Sequence, residues 1–237
     1  MGAAGAGRAA EREAITGIFR EMGFGCGLVI TDDVMISLYG GLDSNIGVMV
    51  ISGTGSICLG RNKEGKISRS GGWGHILGDE GSGYDIGRRI LTSIMRSYDG
   101  RGPKSAMSPM VLRYLGLEGP EDLVEYVYRS GKSKKDIAAL AAFADEGCAV
   151  NDAAALSIIE HAAGELHLAA VTVIGSLGLT GALEICMGGG TLTGSRYLSG
   201  SLIKRFGISH PAAHVIPMRK EAAWGAVRMA MENANLS

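Results

Sequence analysis

Glycine loops set between short apolar runs constrain this chain more than any other sequence feature. Within residues 48–87, an apolar run is broken by Gly53-Thr54-Gly55-Ser56 and resumes as Ile57-Cys58-Leu59. Two short apolar runs around a glycine turn predict a β-hairpin rather than a strand followed by a helix. Because glycine has no Cβ, such a turn can bring its backbone N–H groups and two hydroxyls close around an anion, typically phosphate.

A second glycine-rich segment follows, first as Gly71-Gly72-Trp73-Gly74-His75 and then as Gly78-Asp79-Glu80-Gly81. An indole between glycines has few local packing partners, and an indole followed by two carboxylates suits a sugar, which offers an apolar face and hydroxyl donors. Structural alternatives remain open. Trp73 could be a core aromatic, and the two carboxylates could interact favourably with the positive N-terminal end of a helix that begins at Ser82 or Asp79. We interpret His75 as a structural histidine.

The composition predicts a sizeable hydrophobic core and does not indicate a highly charged binding partner. The 237 residues are 46% hydrophobic and 20% charged, with a formal net charge of −1, which gives no electrostatic case for nucleic acid or anionic membranes. Four scattered cysteines without a C-x-x-C pair predict buried thiols in a reducing cytoplasm, not disulfides or zinc ligands. We predict that the apolar segment 167–179, which glycines interrupt, is a buried helix too short to span a bilayer.

Two further strand ends carry candidate functional residues. A predicted strand over 26–31 ends in Asp32-Asp33, and carboxylates beyond such a strand face the ligand crevice of an open α/β sheet. One of the two could equally cap a helix that starts near Val34. A predicted strand over 183–187 leads into Gly188-Gly189-Gly190-Thr191, where a flat ring could lie on bare backbone.

Helical periodicity covers much of the remaining chain. We predict helices over 9–22, 82–99, 105–115, 120–130, 133–146, 151–176, 196–206 and 221–232, and a last strand at 215–216. The cluster Lys132, Lys134 and Lys135 is interpreted as a solvated surface, with a phosphate contact as the alternative. His161 and His167 lack zinc-ligand spacing, and the chain contains no Walker motif.

The succession of GTGS, GGWG and GDEGS resembles the N-acetylglucosamine kinases and the BadF/BadG/BcrA/BcrD-type ATPase family. Both belong to the acetate kinase, sugar kinase, heat-shock-70 and actin superfamily, and the resemblance extends over nearly the whole chain. It implies an α/β, ribonuclease H-like (actin-like ATPase) fold with a partial first lobe and a complete second lobe rich in helices. We expect residues 1–88 to form the first lobe, 89–218 the second lobe, and 219–237 a C-terminal helix able to pack back on the first lobe.

The resemblance also implies a reaction, the ATP-dependent phosphorylation of an amino sugar, with N-acetylglucosamine as the first candidate. Asp33 matches the general base, while Asp32 stands where relatives often carry Asn or Thr. ATP with Mg²⁺ is expected, without a metal site built from protein ligands. A small sugar is the expected partner, with no nucleic acid and no membrane, and relatives often form homodimers. The nucleotide residues implied are Gly53, Thr54, Gly55, Ser56, Gly188, Gly189, Gly190 and Gly194, and the sugar residues are Gly72, Trp73, Gly74, Asp79 and Glu80.

One expected motif of this superfamily does not occur in the sequence. The first phosphate loop, Asp-x-Gly-x-Thr, normally precedes the acidic strand end and helps to place Mg²⁺ and the phosphates. We therefore expect weak or no phosphoryl transfer from this polypeptide alone. Two alternatives stay open: an ATPase of the BadF/BcrA type acting on a protein partner, although the cysteines lack iron–sulfur spacing, and a non-catalytic, truncated relative that binds sugar or nucleotide.

Overall fold

One mixed five-stranded sheet organises the computed structural model, which describes residues 1–3, 9–24, 27–129 and 131–234. The strand order is β5-β4-β3-β6-β7, in which β3, β4 and β5 are antiparallel neighbours while β6 and β7 run parallel to β3. Strands β1 and β2 form a separate parallel pair. The strands are β1 Gly2–Ala3, β2 Thr31–Asp32, β3 Gly47–Ser52, β4 Ser56–Arg61, β5 Ile67–Gly71, β6 Glu184–Gly188 and β7 His214–Pro217.

Several helices begin at the side chain that the sequence supplies as a cap. Ser82, Asp152 and Ser195 each accept a hydrogen bond from a backbone N–H in the first turn of the helix that follows. The helices are α1 Ala9–Glu21, α2 Asp33–Gly41, α3 Gly83–Tyr98, α4 Met107–Leu115, α5 Asp122–Tyr128, α6 Lys134–Ala139, α7 Ala142–Ala149, α8 Ala153–Leu177, α9 Gly190–Gly194, α10 Arg196–Ser209 and α11 Ala222–Asn233.

Both faces of the sheet are covered by helices. The 25-residue helix α8 packs on β3, β4 and β5 within the larger core, and α2 lies on the opposite face over Met49, Leu59 and Cys186. By length and composition α8 would be long enough to cross a membrane, so the expectation of a segment too short to span is wrong. Its buried side chains, from Ala155 to Leu177, instead mark it as the central core helix.

The C-terminal helix α11 packs on α2. The Arg228 guanidinium donates to the carbonyls of Tyr39 (2.8 Å) and Leu42 (2.7 Å), at the end of α2, where carbonyl groups lack partners within the helix. Arg61 of β4 pairs with Glu232 (2.9 Å), so α11 is also tied to the sheet.

The structure also differs from the sequence expectations in several other elements. The strand expected over 26–31 is reduced to Thr31–Asp32, because only the two residues of β1 pair with it; Cys26 lies outside the described residues. Strand β5 was not predicted. The helix expected over 133–146 breaks at Leu140, which is fully buried, so that α6 packs on α3 while α7 packs on α4 and α8.

The boundary expected at residue 88 stays a prediction, and the structure adds one long-range strand pairing that crosses this position. Strand β3 pairs with β6 in parallel register, with Val50 opposite Met187, so the hairpin belongs to the same sheet as the later glycine cluster. Local sequence patterns could not reveal this pairing, because it joins segments separated by more than a hundred residues.

Candidate active site

The loop between β3 and β4 presents backbone N–H groups at one edge of the sheet. The Gly53 N–H donates to the Gly55 carbonyl (2.9 Å) and closes a tight turn. The Gly53 carbonyl accepts from the Gly83 N–H (2.8 Å), and the Thr54 carbonyl accepts from the Tyr84 N–H (3.3 Å), both at the start of α3. The N–H groups of Thr54 and Gly55 have no partner among the residues that the structure describes. These two donors are therefore available to an anion.

The glycine cluster after β6 touches the same loop. Because β3 and β6 are parallel neighbours, with Ile51 opposite Gly188, both strands end at the same edge. Gly189 has φ +87°, and a Cβ there would lie 2.4 Å from the Ser52 carbonyl oxygen, so only glycine fits. The Thr191 hydroxyl donates to the Gly53 carbonyl (3.0 Å). The two glycine loops thus form one continuous site.

A cavity of about 350 Å³ opens beside the second glycine cluster, between α6 and α7 on one side and α9 and the start of α10 on the other. Of the four glycines predicted there, Gly190 and Gly194 line the cavity, while Gly188 and Gly189 lie where β6 meets β3. Small side chains make much of its wall, which leaves room for a flat ring. The lining residues are Ile86, Ala138, Ala139, Ala141, Ala142, Asp145, Ile159, Gly190, Thr191, Gly194 and Ser195.

Asp79 is buried directly beneath the β3–β4 loop. Only 4% of the residue is exposed, and one carboxylate oxygen accepts from the Ser56 N–H (3.4 Å). A Cβ on Gly55 would lie 2.9 Å from the other carboxylate oxygen, so the carboxylate rests against the loop backbone. Ser82, not Asp79, caps α3. The structure therefore places this carboxylate against the β3–β4 loop and outside α3.

The segment around Asp79 is hydrogen-bonded to the strand ends. The Ser56 hydroxyl donates to the Glu80 carbonyl (2.7 Å), and the Ser52 hydroxyl donates to the Gly81 carbonyl (2.8 Å). The Glu80 side chain itself is exposed. These bonds fix the backbone of the predicted sugar loop relative to the β3–β4 loop.

Trp73 lies on the surface, with 60% of the residue exposed. Its indole is stacked by the Arg69 guanidinium, 4.3 Å from the ring centroid, and flanked by Gly72 and Gly74 at φ +72° and +85°. It borders a cavity of about 200 Å³ together with Ser56, Glu80 and residues of α8. Trp73 is thus not a core aromatic.

Asp32 and Asp33 occupy different positions at the start of α2. The Asp32 carboxylate caps the helix by accepting from the Met35 N–H (2.7 Å). Asp33 is the first helical residue and is exposed. The structure gives Asp33 no hydrogen bond to the glycine loops among the described residues, so its part in the site remains a prediction.

The sequence profile of the BadF/BadG/BcrA/BcrD ATPase family matches residues 1–230. This chain belongs to that family. It is 39% identical over 231 residues to an N-acetylmuramic acid/N-acetylglucosamine kinase of Clostridium acetobutylicum, covering 97% of this chain and 76% of that protein. It is 34% identical to an N-acetyl-D-glucosamine kinase of Dictyostelium discoideum, covering 86% of this chain and 65% of that protein. The family resemblance inferred from the glycine motifs is confirmed.

Solved structures establish the fold of this ATPase-family chain. A protein from Chromobacterium violaceum described as an N-acetylglucosamine kinase matches with a TM-score of 0.72, covering 91% of this chain and 70% of that one at 24% identity. One from Porphyromonas gingivalis matches with a TM-score of 0.70, covering 98% of this chain and 76% of that one at 22% identity. The α/β, actin-like ATPase fold is confirmed.

Two residues of this family member reach the site although the sequence analysis did not assign them to it: Asp145 was not named, and Lys134 was named only with a phosphate contact as the alternative to a solvated surface. The Lys134 ammonium, at the start of α6, lies 3.9 Å from an Asp79 carboxylate oxygen. Asp145 of α7 lines the cavity, accepts a short hydrogen bond from the Ser195 hydroxyl and accepts from the Arg196 N–H (3.1 Å). The lysine-rich run at 132–135 was the available signal for Lys134, and it was interpreted mainly as solvated surface.

Proposed function

We propose that this chain is an ATP-dependent kinase that phosphorylates an amino sugar, with N-acetylglucosamine as the first candidate and with turnover lowered because the sequence contains no Asp-x-Gly-x-Thr loop. The observation that carries the proposal is the meeting of the two glycine loops at the Gly53 carbonyl, directly above the buried carboxylate of Asp79. A loop with free N–H groups binds phosphates, and a carboxylate beside it can accept from a sugar hydroxyl. Two kinases that are similar in sequence act on amino sugars by name, which agrees with this assignment.

Each part of the site has a role in this reaction. The N–H groups of Thr54 and Gly55 hold phosphate oxygens, and the cavity bordered by Gly190 and Gly194 holds the adenosine. Asp79 accepts a hydrogen bond from the sugar, and the indole of Trp73 covers its apolar face. Phosphoryl transfer depends on positioning and charge stabilisation more than on covalent chemistry, which suits a site built mainly from backbone donors.

Asp33 is the proposed general base. Its exposed carboxylate would accept the proton of the attacking hydroxyl, while Asp32 is already engaged as the helix cap.

Mg²⁺ would be held mainly by the nucleotide. Among the described residues, no three His, Cys, Asp or Glu side chains are grouped as a metal cage. Mg²⁺ usually keeps several waters and binds through one or two carboxylates together with substrate phosphates. An ion that arrives bound to ATP would therefore not require a cage of protein ligands. It would offset the phosphate charge during transfer.

The reaction is assigned to the cytoplasm, where ATP is available, and a homodimer is proposed from the family resemblance.

The test is an ADP-release assay with N-acetylglucosamine and ATP, comparing the unmodified chain with Asp33→Asn and Asp32→Asn. We expect Asp33→Asn to lower turnover by about 10²- to 10⁴-fold, the usual contribution of a general base. Asp32→Asn keeps a capping oxygen and should retain activity.

Three outcomes would contradict the proposal or part of it. Turnover that is unchanged in Asp33→Asn would show that another group is the base. Calorimetric binding of sugar and ATP without any ADP release would instead indicate a non-catalytic relative. ATP hydrolysis that no sugar stimulates would favour an ATPase that acts on a protein partner.

A further inference from the structure

A second, strongly basic cavity lies away from the candidate active site. It measures about 540 Å³ and is enclosed by α3, the first turns of α8 and the loop at Gly102 and Pro103. None of its lining residues borders the cavity beside the glycine cluster or the one beside Trp73. Its lining residues are Arg88, Arg89, Thr92, Ser93, Arg96, Gly102, Pro103, Ala153, Ala154, Ser157, Ile158 and His161.

Two of the three guanidinium groups of this cavity share one carboxylate. Asp85 accepts from Arg88 Nη2 (2.9 Å) and from Arg89 Nε (3.0 Å), which leaves the terminal nitrogens of Arg89 free for other acceptors. The Arg96 guanidinium has no hydrogen bond or ion pair with any residue in the described part of the chain, although the Arg96 carbonyl accepts from the Arg101 N–H (2.8 Å). The positive charge of α3 therefore exceeds what its own acidic partner neutralises.

The opposite wall, formed by α8, adds hydrogen-bond donors, and two acidic residues near it, Glu165 and Asp152, weaken the positive electrostatic potential of the cavity. His161 Nε2 lies 3.9 Å from a Glu165 carboxylate oxygen and makes no hydrogen bond. Asp152 caps α8 by accepting from the Ala155 N–H (2.9 Å), so part of the helix N-terminus is already satisfied. Even so, the α3 wall carries three arginines and one aspartate, Asp85. Its net charge is therefore positive, which favours binding of an anion.

We propose that this cavity binds a phosphoryl group, either as free phosphate or as the monoester of a small polar molecule. The planar guanidinium fork matches a phosphate group with two parallel hydrogen bonds, and three such forks on one wall supply more donors than a chloride or a carboxylate uses. The volume lies in the range of small-molecule sites and exceeds what phosphate alone fills. The site does not depend on the kinase assignment, because it shares no residue with the proposed active site.

The test is calorimetric titration of the purified chain, at low salt, with inorganic phosphate and with glucosamine 6-phosphate as the two probes. The informative variant is Arg96→Glu, since Arg96 does not pair with Asp85 and its replacement leaves that network intact. The matched control is Arg113→Glu, which makes the same charge change at an exposed arginine of α4 outside the cavity. Arg96→Gln serves as a second, milder variant, and thermal melting checks that every variant is folded.

We expect the unmodified chain and Arg113→Glu to bind alike, and Arg96→Glu to bind at least about tenfold more weakly, because each hydrogen bond to a charged group contributes about that factor or more. Equal affinity for the two probes would assign the site to free phosphate, and tighter binding of the sugar phosphate would assign it to a monoester. No binding to the unmodified chain would overturn the proposal. Binding that is equal in Arg96→Glu and Arg113→Glu would place the anion at the β3–β4 loop and would overturn it as well.

Discussion

Replacing Asp79 by asparagine separates a substrate-binding role for this carboxylate from a structural one. The variant keeps the size of the side chain and an oxygen that can accept from the Ser56 N–H, but it removes the charge. A hydrogen bond to a charged group contributes about 1.5–3 kcal/mol, so we expect kcat/KM for the sugar to fall about 10- to 100-fold. The KM for ATP should change little, because the loop backbone keeps its support from α3 and Thr191.

The effect on stability is expected to be much smaller. Asp79 lies 3.9 Å from the Lys134 ammonium, whose side chain is 44% exposed. Ion pairs with one exposed partner contribute about 1 kcal/mol or less, so the free energy of unfolding should drop by no more than that. Sugar affinity and stability therefore report on different roles of the same carboxylate.

Steady-state kinetics with each substrate varied, together with urea unfolding, would measure both quantities. Lys134→Met removes the other half of the ion pair, and Glu64→Gln makes the matching chemical change at an exposed residue outside the site. Equal losses of stability in Asp79→Asn and Lys134→Met, with unchanged sugar KM in both, would show that the carboxylate serves only the ion pair and would refute the binding role. Calorimetric sugar affinity provides the same comparison without turnover.

Three further predictions follow from buried groups. Gly189→Ala should cost at least about 2 kcal/mol in urea unfolding because of its positive φ and the nearby Ser52 carbonyl, whereas Gly200→Ala, a helical site with open space, should be neutral or stabilising; equal effects would contradict the close approach. Burial favours a higher pKa for Asp85, but hydrogen bonds from Arg89, the Gly81 N–H and Arg88 lower it overall. The stabilisation by the ionised carboxylate is therefore present above about pH 4 and lost as the pH falls through the lowered pKa. The free energy of unfolding, measured in urea at about pH 5 and at about pH 3, should change less between the two pH values in Asp85→Asn than in the unmodified chain; an equal change would contradict this role. Burial raises the pKa of the Cys58 thiol, so in a Cys26→Ser variant a thiol reagent at pH 8 should react far more slowly with the native than with the unfolded chain; equal rates would show that the thiols are accessible.

Local features of the site were predictable because their causes are local. The β3–β4 hairpin follows from two short apolar runs around glycines, and the start of α3 follows from the serine cap at residue 82. The exposure of Trp73 follows from its glycine neighbours, which provide no side chains to bury an indole. The residue types at these positions therefore sufficed to indicate a ligand site.

Features that depend on the approach of distant segments were not predictable in the same way. The parallel pairing of β3 with β6 joins two strands that lie more than a hundred residues apart in the chain. The break after Ala139 turns α6 toward α3 and thereby brings Lys134 to Asp79. Helical periodicity runs through this break without interruption, so the sequence showed one helix where packing requires two.

The support behind the β3–β4 loop explains why its sequence can serve as an anion site at all. A Gly-Thr-Gly turn in an isolated hairpin would expose donors and acceptors alike and would have no preference for negative charge. Here the Gly53 carbonyl accepts from both the Gly83 N–H and the Thr191 hydroxyl, and the Thr54 carbonyl accepts from the Tyr84 N–H. With the acceptors satisfied from behind, the unpaired groups that face outward are donors, which is the polarity an anion requires. Those supports come from α3 and α9, which lie far apart in the chain, so the proposed site forms only when β3 and β6 have paired and both helices have packed beside them.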